Sequence, residues 1–285
     1  MNTQKMKKIH LLPNVITAFG LSCGLFVIFK MNMTEVGEVT PKILTAVTAI
    51  LLLAAIADLL DGAVARVIKA ESDFGGLFDS LADAISFGVA PSVIILKSLS
   101  APQGTQLSFL ATMSAIIFSL CGVLRLVRFN VLAIEAKNNS ELAVAHKKHF
   151  TGLPIPAAAA AAVSLNLFIF GGEIPFMNHM SAIFQTWILS MMMIVLGYCM
   201  VSRWKFPSIK SLEIRVSSFS VVFLTGFAAV IILYGILNYS SLVFVIFSWG
   251  YIAVALILAI IRVIAGRKSK TLEDFEPEPD ELEED

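Results

Sequence analysis

The feature that most limits the fold is a series of eight apolar runs, near 11–29, 43–68, 76–97, 106–128, 153–171, 183–202, 217–237 and 241–262. Each is about as long as the 17 to 25 residues a helix needs to cross a bilayer. A mean hydropathy of +0.83 excludes a soluble globule, and the runs leave little chain for a separate soluble domain. Backbone polar groups in lipid must be bonded internally, and none of the runs alternates with period two, so helices are expected and a barrel is not. The expected fold class is all-α: a polytopic membrane helical bundle of about eight transmembrane helices. Residues 1–29 look like a signal peptide, but the run is long and no A-x-A-like site follows it, so it reads as a retained first helix.

Counting basic residues loop by loop sets the orientation. With the N-terminus inside, only Lys30, Lys42 and Lys97 of the 21 Lys and Arg fall outside. Both termini are therefore expected in the cytoplasm, in the cytoplasmic membrane, and the even number of spans agrees. A formal net charge of zero conceals this asymmetry, because the tail TLEDFEPEPDELEED offsets the basic loops. That tail, 271–285, is expected to be disordered and solvated. Residues 1–270 read as the integral membrane domain. No nucleic-acid partner is expected. Cys23, Cys121 and Cys199 lack metal or redox spacing and read as packing residues.

Against this background the stretch ADLLDGAVARVIKAESDFGGLFDSLAD, 57–83, is anomalous. An Asp at the centre of a membrane helix costs roughly 2.5 to 3.5 kcal/mol on insertion scales, so four cost about 10 or more. Asp58, Asp61, Gly62 and Ala65 fall within a wedge of about 100° on one helix. Gly75, Asp79 and Asp83, spaced by four, make a second stripe of carboxylates and glycine. A short link around Glu71–Asp73, with Ser72 and Asp73 as candidate caps, makes the two helices a hairpin whose aspartates meet at similar depth. Four such charges in a low-dielectric site need protons or metal ions to neutralise them. Oxygen ligands without His or Cys favour Mg²⁺, Mn²⁺ or Ca²⁺. Arg66 adds a cation suited to phosphate oxygens, and Gly62, Ala65 and Gly75 leave room for a ligand against the backbone. The pattern reads as a two-metal phosphoryl-transfer site; an ion- or proton-coupled transporter is the alternative from another class.

Written as a pattern, DxxDGxxAR, eight residues, then GxxxDxxxD, the stretch resembles at every fixed position the signature of the CDP-alcohol phosphotransferase family. The surrounding SDFGGLFDSLADAISFGVAPS, with RLVRFN, FTGLPIPAAAA and VSRWKFPSIK, is similar to the phosphatidylserine synthase branch. The resemblance implies a six-helix core over about 11–202, with extra helices over about 217–262. It also implies two divalent cations, Mg²⁺ or Mn²⁺, held by Asp58, Asp61 and Asp79, with Asp83 reaching the metal site and acting as general base. Gly62, Ala65, Arg66 and Gly75 would line the CDP pocket. The implied reaction joins CDP-diacylglycerol and L-serine into phosphatidylserine and CMP, by a homodimer among membrane lipids. Glycerol 3-phosphate or inositol as acceptor is the alternative within the same chemistry.

An amino-acid acceptor carries a carboxylate that needs a cation or N–H donors, which makes Arg125, Arg128 and Asn130 the acceptor-site candidates. His146 and His149, with Lys147 and Lys148, read as neighbours of anionic headgroups. Gly20-xxx-Gly24 and the alanine run 157–162 read as close helix packing, with a dimer interface as one option. Trp204 and Tyr251 fit interfacial anchoring; Trp187 and Trp249 fit anchoring or packing.

Overall fold

The computed structural model describes residues 3–35, 38–68, 72–99, 101, 104–138, 152–173, 180–202 and 240–265. Within them the chain is helical: α1 (Thr3–Asn32), α2 (Pro41–Val67), α3 (Asp73–Asp83), a π-helical segment (Ala84–Val89), α4 (Ala90–Ser98), α5 (Gln106–Asn138), α6 (Ile155–Phe170), α7 (Ala182–Val201) and α8 (Ser240–Ala265). The described residues contain no strand. Six of the eight expected runs are helices long and apolar enough to cross a membrane, with Phe74–Ser98 forming one continuous span. The run expected at 153–171 is a shorter apolar helix, α6, and the one at 217–237 lies outside the described residues. The chain is a multi-pass membrane protein.

Local chemistry fixes the helix starts. Thr40 caps α2 by accepting from Ile43 N at 3.4 Å, with Pro41 in the first turn where no N–H is needed. Of the two candidate caps for α3, Ser72 is the one used: its Oγ accepts from Gly75 N at 3.0 Å. Ser181 caps α7 through Phe184 N at 3.3 Å. Gly152 has φ +81°, and a Cβ there would run into the Met200 carbonyl oxygen. Only glycine fits that approach, which lets Leu153 N bond Cys199 O at 3.0 Å and ties the start of α6 to the end of α7.

The short helix α6 lies at the centre, packed on α2, α4, α7 and α8. Ala158, Ala159, Ala161 and Ala162 are all buried within the chain. Small side chains let helix backbones approach where lipid supplies no hydrophobic drive between helices. Gly20 and Gly24 do the same for α1: a Cβ on Gly20 would sit 3.4 Å from Ala57 Cβ, and one on Gly24 would sit 2.8 Å from Ser86 Cα. Both small-residue features are thus occupied inside one chain, which corrects the dimer-interface option. Large apolar side chains such as Leu59, Val67 and Phe74 face outward, as lipid requires.

Several polar groups lie at the end of the bundle away from the aspartates. Asn166 Nδ2 donates to Ser98 Oγ at 3.0 Å, and Lys97 Nζ donates to Thr34 O at 3.2 Å. Glu173, just after α6, accepts from Ser241 N at 3.1 Å and from the hydroxyls of Ser240 and Ser241, capping α8 from another part of the chain.

Candidate active site and metal centre

The α2–α3 hairpin brings the aspartates together. One carboxylate oxygen each from Asp58, Asp61 and Asp79 lie within 4.8 Å of one another. Asp61 is buried, 4% exposed, and its Oδ2 accepts a 2.6 Å hydrogen bond from Thr17 Oγ1 of α1. Asp83 lies beside Asp58 in the same cavity. All four aspartates line one cavity, together with Thr17 and Ser86. That α1 reaches this cavity follows from Gly20 and Gly24, whose missing side chains allow α1 to lie against α2 and the π-helical segment.

The donor set suits a hard divalent cation. Carboxylate oxygens gathered this closely could share a hard divalent cation, which takes oxygen ligands at about 2.1 Å in the case of Mg²⁺. Three carboxylates without nitrogen or sulfur ligands match Mg²⁺ or Mn²⁺ chemistry. Thr17 has the place of an outer partner that orients a ligand oxygen.

The residues expected to line a nucleotide pocket divide into two kinds. A Cβ on Gly62 would meet nothing nearer than Arg66 Nη1 at 3.5 Å, so the surrounding protein does not demand glycine there. Arg66 is exposed, one turn from Gly62 on the same face, and Ala65 is half-buried beside it. Gly75 differs: a Cβ would come within 3.0 Å of Ser72 Oγ and 3.1 Å of Asn14 Oδ1. The helix cap and α1 therefore give Gly75 a packing role whatever it does for a ligand.

Among the residues expected to receive the acceptor, Asn130 accepts through Oδ1 from Ser80 Oγ at 3.1 Å, which fixes α5 beside the turn that carries Asp79 and Asp83. Arg125, just over one helical turn earlier, is within electrostatic reach of Asp83 and of Tyr251. Its Nε is buried with no hydrogen-bond partner among the described residues. A desolvated guanidinium donor left open is costly, and a carboxylate or phosphate oxygen is its natural complement. Arg128 is half-buried on the same helix. His146 to His149, and 203–210 with Trp204, lie outside the described residues, as does the 271–285 tail.

Sequence reasoning missed Asn14, Thr17 and Ser80. A polar pair three residues apart in an apolar first span, directly after Pro13, was the available signal for the first two. Tyr251, read as an interfacial anchor, is half-buried on α8. Trp249 is packed, its Nε1 donating to Ala161 O at 3.1 Å, while Trp187 is 46% exposed on the outer surface.

Comparison with known proteins sets this geometry in context. Residues 10–199 match the family model described as CDP-alcohol phosphatidyltransferase. A CDP-diacylglycerol–serine O-phosphatidyltransferase of Methanocaldococcus jannaschii is 37% identical over 173 residues, covering 58% of this chain and 69% of that protein. An archaetidylserine synthase of Methanothermobacter thermautotrophicus is 32% identical over 212 residues, covering 73% of this chain and 75% of that protein. A CDP-diacylglycerol–serine O-phosphatidyltransferase of Helicobacter pylori is 29% identical over 257 residues, covering 87% and 95%. The chain spans about half the length of other curated relatives, from mycobacteria, that it matches.

Proposed function

Because the chain belongs to the CDP-alcohol phosphatidyltransferase family, we propose that it transfers the phosphatidyl group of CDP-diacylglycerol to the hydroxyl of L-serine, giving phosphatidylserine and CMP. The observation that carries this reading is the meeting of Asp58, Asp61 and Asp79 within 4.8 Å, with Asp83 lining the same cavity. The names of the relatives support serine as acceptor: two differ in the lipid they are named for, and both are named for serine.

In this reading Asp58, Asp61 and Asp79, with Asp83 at their edge, hold two divalent cations, Mg²⁺ or Mn²⁺. Bound there, the cations would grip the diphosphate and neutralise the charge that builds on departing CMP. Gly62, Ala65 and Arg66 take the nucleotide end of the donor. Arg125, Arg128 and Asn130 receive serine, with the Arg125 guanidinium meeting its carboxylate. Asp83 accepts the proton of the serine hydroxyl as that oxygen attacks the phosphorus bearing diacylglycerol. The bond from this phosphorus to the CMP oxygen breaks, and CMP leaves as its phosphate. The site faces the cytoplasm, both termini lie there, and the enzyme works as a homodimer in the cytoplasmic membrane.

The test is CMP release by purified protein in detergent with CDP-diacylglycerol and Mg²⁺ or Mn²⁺, offering serine, glycerol 3-phosphate and inositol separately. Serine-dependent release that a chelator abolishes is the expected result. The Asp83→Asn variant should retain Mn²⁺ and CMP binding while kcat falls at least about 100-fold. Release with another alcohol alone would move the chain to a sister activity, and near-full turnover by Asp83→Asn would remove the assigned base.

A further inference from the structure

In the continuous span Phe74–Ser98 the π-helical turn Ala84–Val89 separates two faces: Asp79 and Asp83 on α3, and the buried side of α4. That side is made by Ala90, Pro91, Ser92, Ile94, Ile95 and Ser98. At about 100° per residue, an unbroken α-helix would put the two aspartates roughly a quarter-turn away from the middle of this face. A π turn holds one residue more than an α turn, and that residue offsets the angle by about 100°. With it, the aspartate stripe and the buried face of α4 both point into the bundle. Asp79 and Asp83 accordingly share a cavity with Ser86 and Phe87 of the turn itself.

The sequence and the packing both hold this register. Pro91 has no N–H to offer, and in a regular α-helix its ring would run into the carbonyl four residues earlier, that of Phe87. The turn avoids that register, with Ala90 N bonding Ile85 O five residues back. From the neighbouring helix, Ser119 Oγ donates to Gly88 O at 2.9 Å, and Ser92 Oγ lies 2.8 Å from Ser119 Oγ. The approach of α5 is close because glycines meet there: a Cβ on Gly122 would lie 3.8 Å from Gly88 Cα. If the π register were lost, α3 would be the part to turn. Ile94 and Ile95 are buried and Asn166 Nδ2 bonds Ser98 Oγ at 3.0 Å, whereas Phe74, Leu77 and Leu81 of α3 face outward.

We propose that the π turn aims Asp79 and Asp83 into the cavity, and that Ser119 is a positioning residue for the metal centre, acting on the aspartates through the Gly88 carbonyl. The proposal rests on the divalent-cation reading above, and its test separates the two.

Full-length wild type, Ser119→Ala, Pro91→Ala and Ser164→Ala are purified in detergent. Mn²⁺ affinity is read from the electron paramagnetic resonance signal of free Mn²⁺, and thermal unfolding is followed without metal. Ser164→Ala is the control: its Oγ lies 2.7 Å from Ser248 Oγ and joins α6 to α8, away from the turn. When only one register binds metal, the apparent Kd rises as that register is depopulated. Ser119→Ala and Pro91→Ala should each raise Kd for Mn²⁺ about fivefold, as expected if the π register falls to about one-fifth of the population. Ser164→Ala should lower Tm and leave Kd for Mn²⁺ unchanged. An unchanged Kd in either folded variant overturns the proposal. So does an equal rise in Ser164→Ala, because general loosening of the bundle would then account for the effect. Should Ser119→Ala fail to fold, Pro91→Ala decides by the same criterion. Absence of Mn²⁺ binding by the wild type would instead defeat the divalent-cation reading, and the proposal would fall with it.

Discussion

A single hydroxyl and two glycines show how finely the site is built. Thr17 donates to Asp61 at 2.6 Å from a helix 44 positions away in sequence, so it orients a ligand oxygen while holding α1 to α2. Thr17→Val keeps the shape and removes the donor. Partners that orient a metal ligand are typically worth 10- to 100-fold in metal affinity or activity, so the Mn²⁺ concentration for half-maximal CMP release should rise about tenfold and activity should recover at high Mn²⁺. The glycines separate ligand space from packing. Gly62→Ala meets no neighbour closer than 3.5 Å and should leave Tm unchanged while raising KM for CDP-diacylglycerol; Gly24→Ala drives a Cβ to 2.8 Å from Ser86 Cα and should destabilise by about 1 to 3 kcal/mol. Thermal unfolding and donor titration on both variants check the contrast, and a destabilised Gly62→Ala would mean that the protein, not the donor, requires that glycine. The DxxDGxxAR and GxxxDxxxD spacings made Asp58, Asp61, Asp79 and Asp83 legible because helical periodicity alone puts them on facing stripes. Thr17 was not legible, since its role depends on which helix packs against the hairpin.

At the scale of elements, the π-helical segment Ala84–Val89 joins the carboxylate stripe of α3 to the buried face of α4. One extra residue in the turn shifts the phase of everything after it, and such segments recur at functional sites. Ser119 Oγ of α5 donates to the Gly88 carbonyl at 2.9 Å and contacts Ser92 Oγ at 2.8 Å, bracing the segment from a neighbouring helix. Nothing in the apolar pattern of 76–97 reveals this change of phase, because the run reads as a continuous span in either register. The second device is the cap on α8. Glu173 accepts from Ser241 N and from both serine hydroxyls, satisfying the free N–H groups at a helix start with a carboxylate that also favours the helix dipole. Glu173→Ala leaves those donors open, at a cost of about 1 to 2 kcal/mol. Amide hydrogen exchange should accelerate across the first turn of α8 and stay unchanged in α2 and α3. Unchanged exchange at Ser240–Phe244 would show that α8 is held by α6 alone.

For the whole molecule, periodicity and length alone made the membrane class legible, whereas an even number of spans stays an expectation from the loop charges. The pairing order of the helices was not legible, because lipid-facing and helix-facing positions are alike apolar and only small residues such as Ala158 and Gly24 distinguish them. Orientation links this architecture to chemistry, since a site using cytidine nucleotides must open to the compartment that holds them. The loop charges make that a sharp expectation. Lys97, bonded to Thr34 O, marks one end of the bundle, and Gln106 begins α5 after the following loop. Val67, 82% exposed, ends α2 at the opposite end, beside Arg66 and the hairpin of aspartates. The native cysteines lie within membrane helices, Cys23 and Cys199 buried and Cys121 partly so, and should remain unlabelled by a membrane-impermeant maleimide. Gln106→Cys should therefore react in intact cells, whereas Val67→Cys should react only after the membrane is opened. The reverse pattern would put the carboxylates on the outside, away from cytoplasmic CMP and serine, and the phosphatidyl-transfer reading would fall with the orientation.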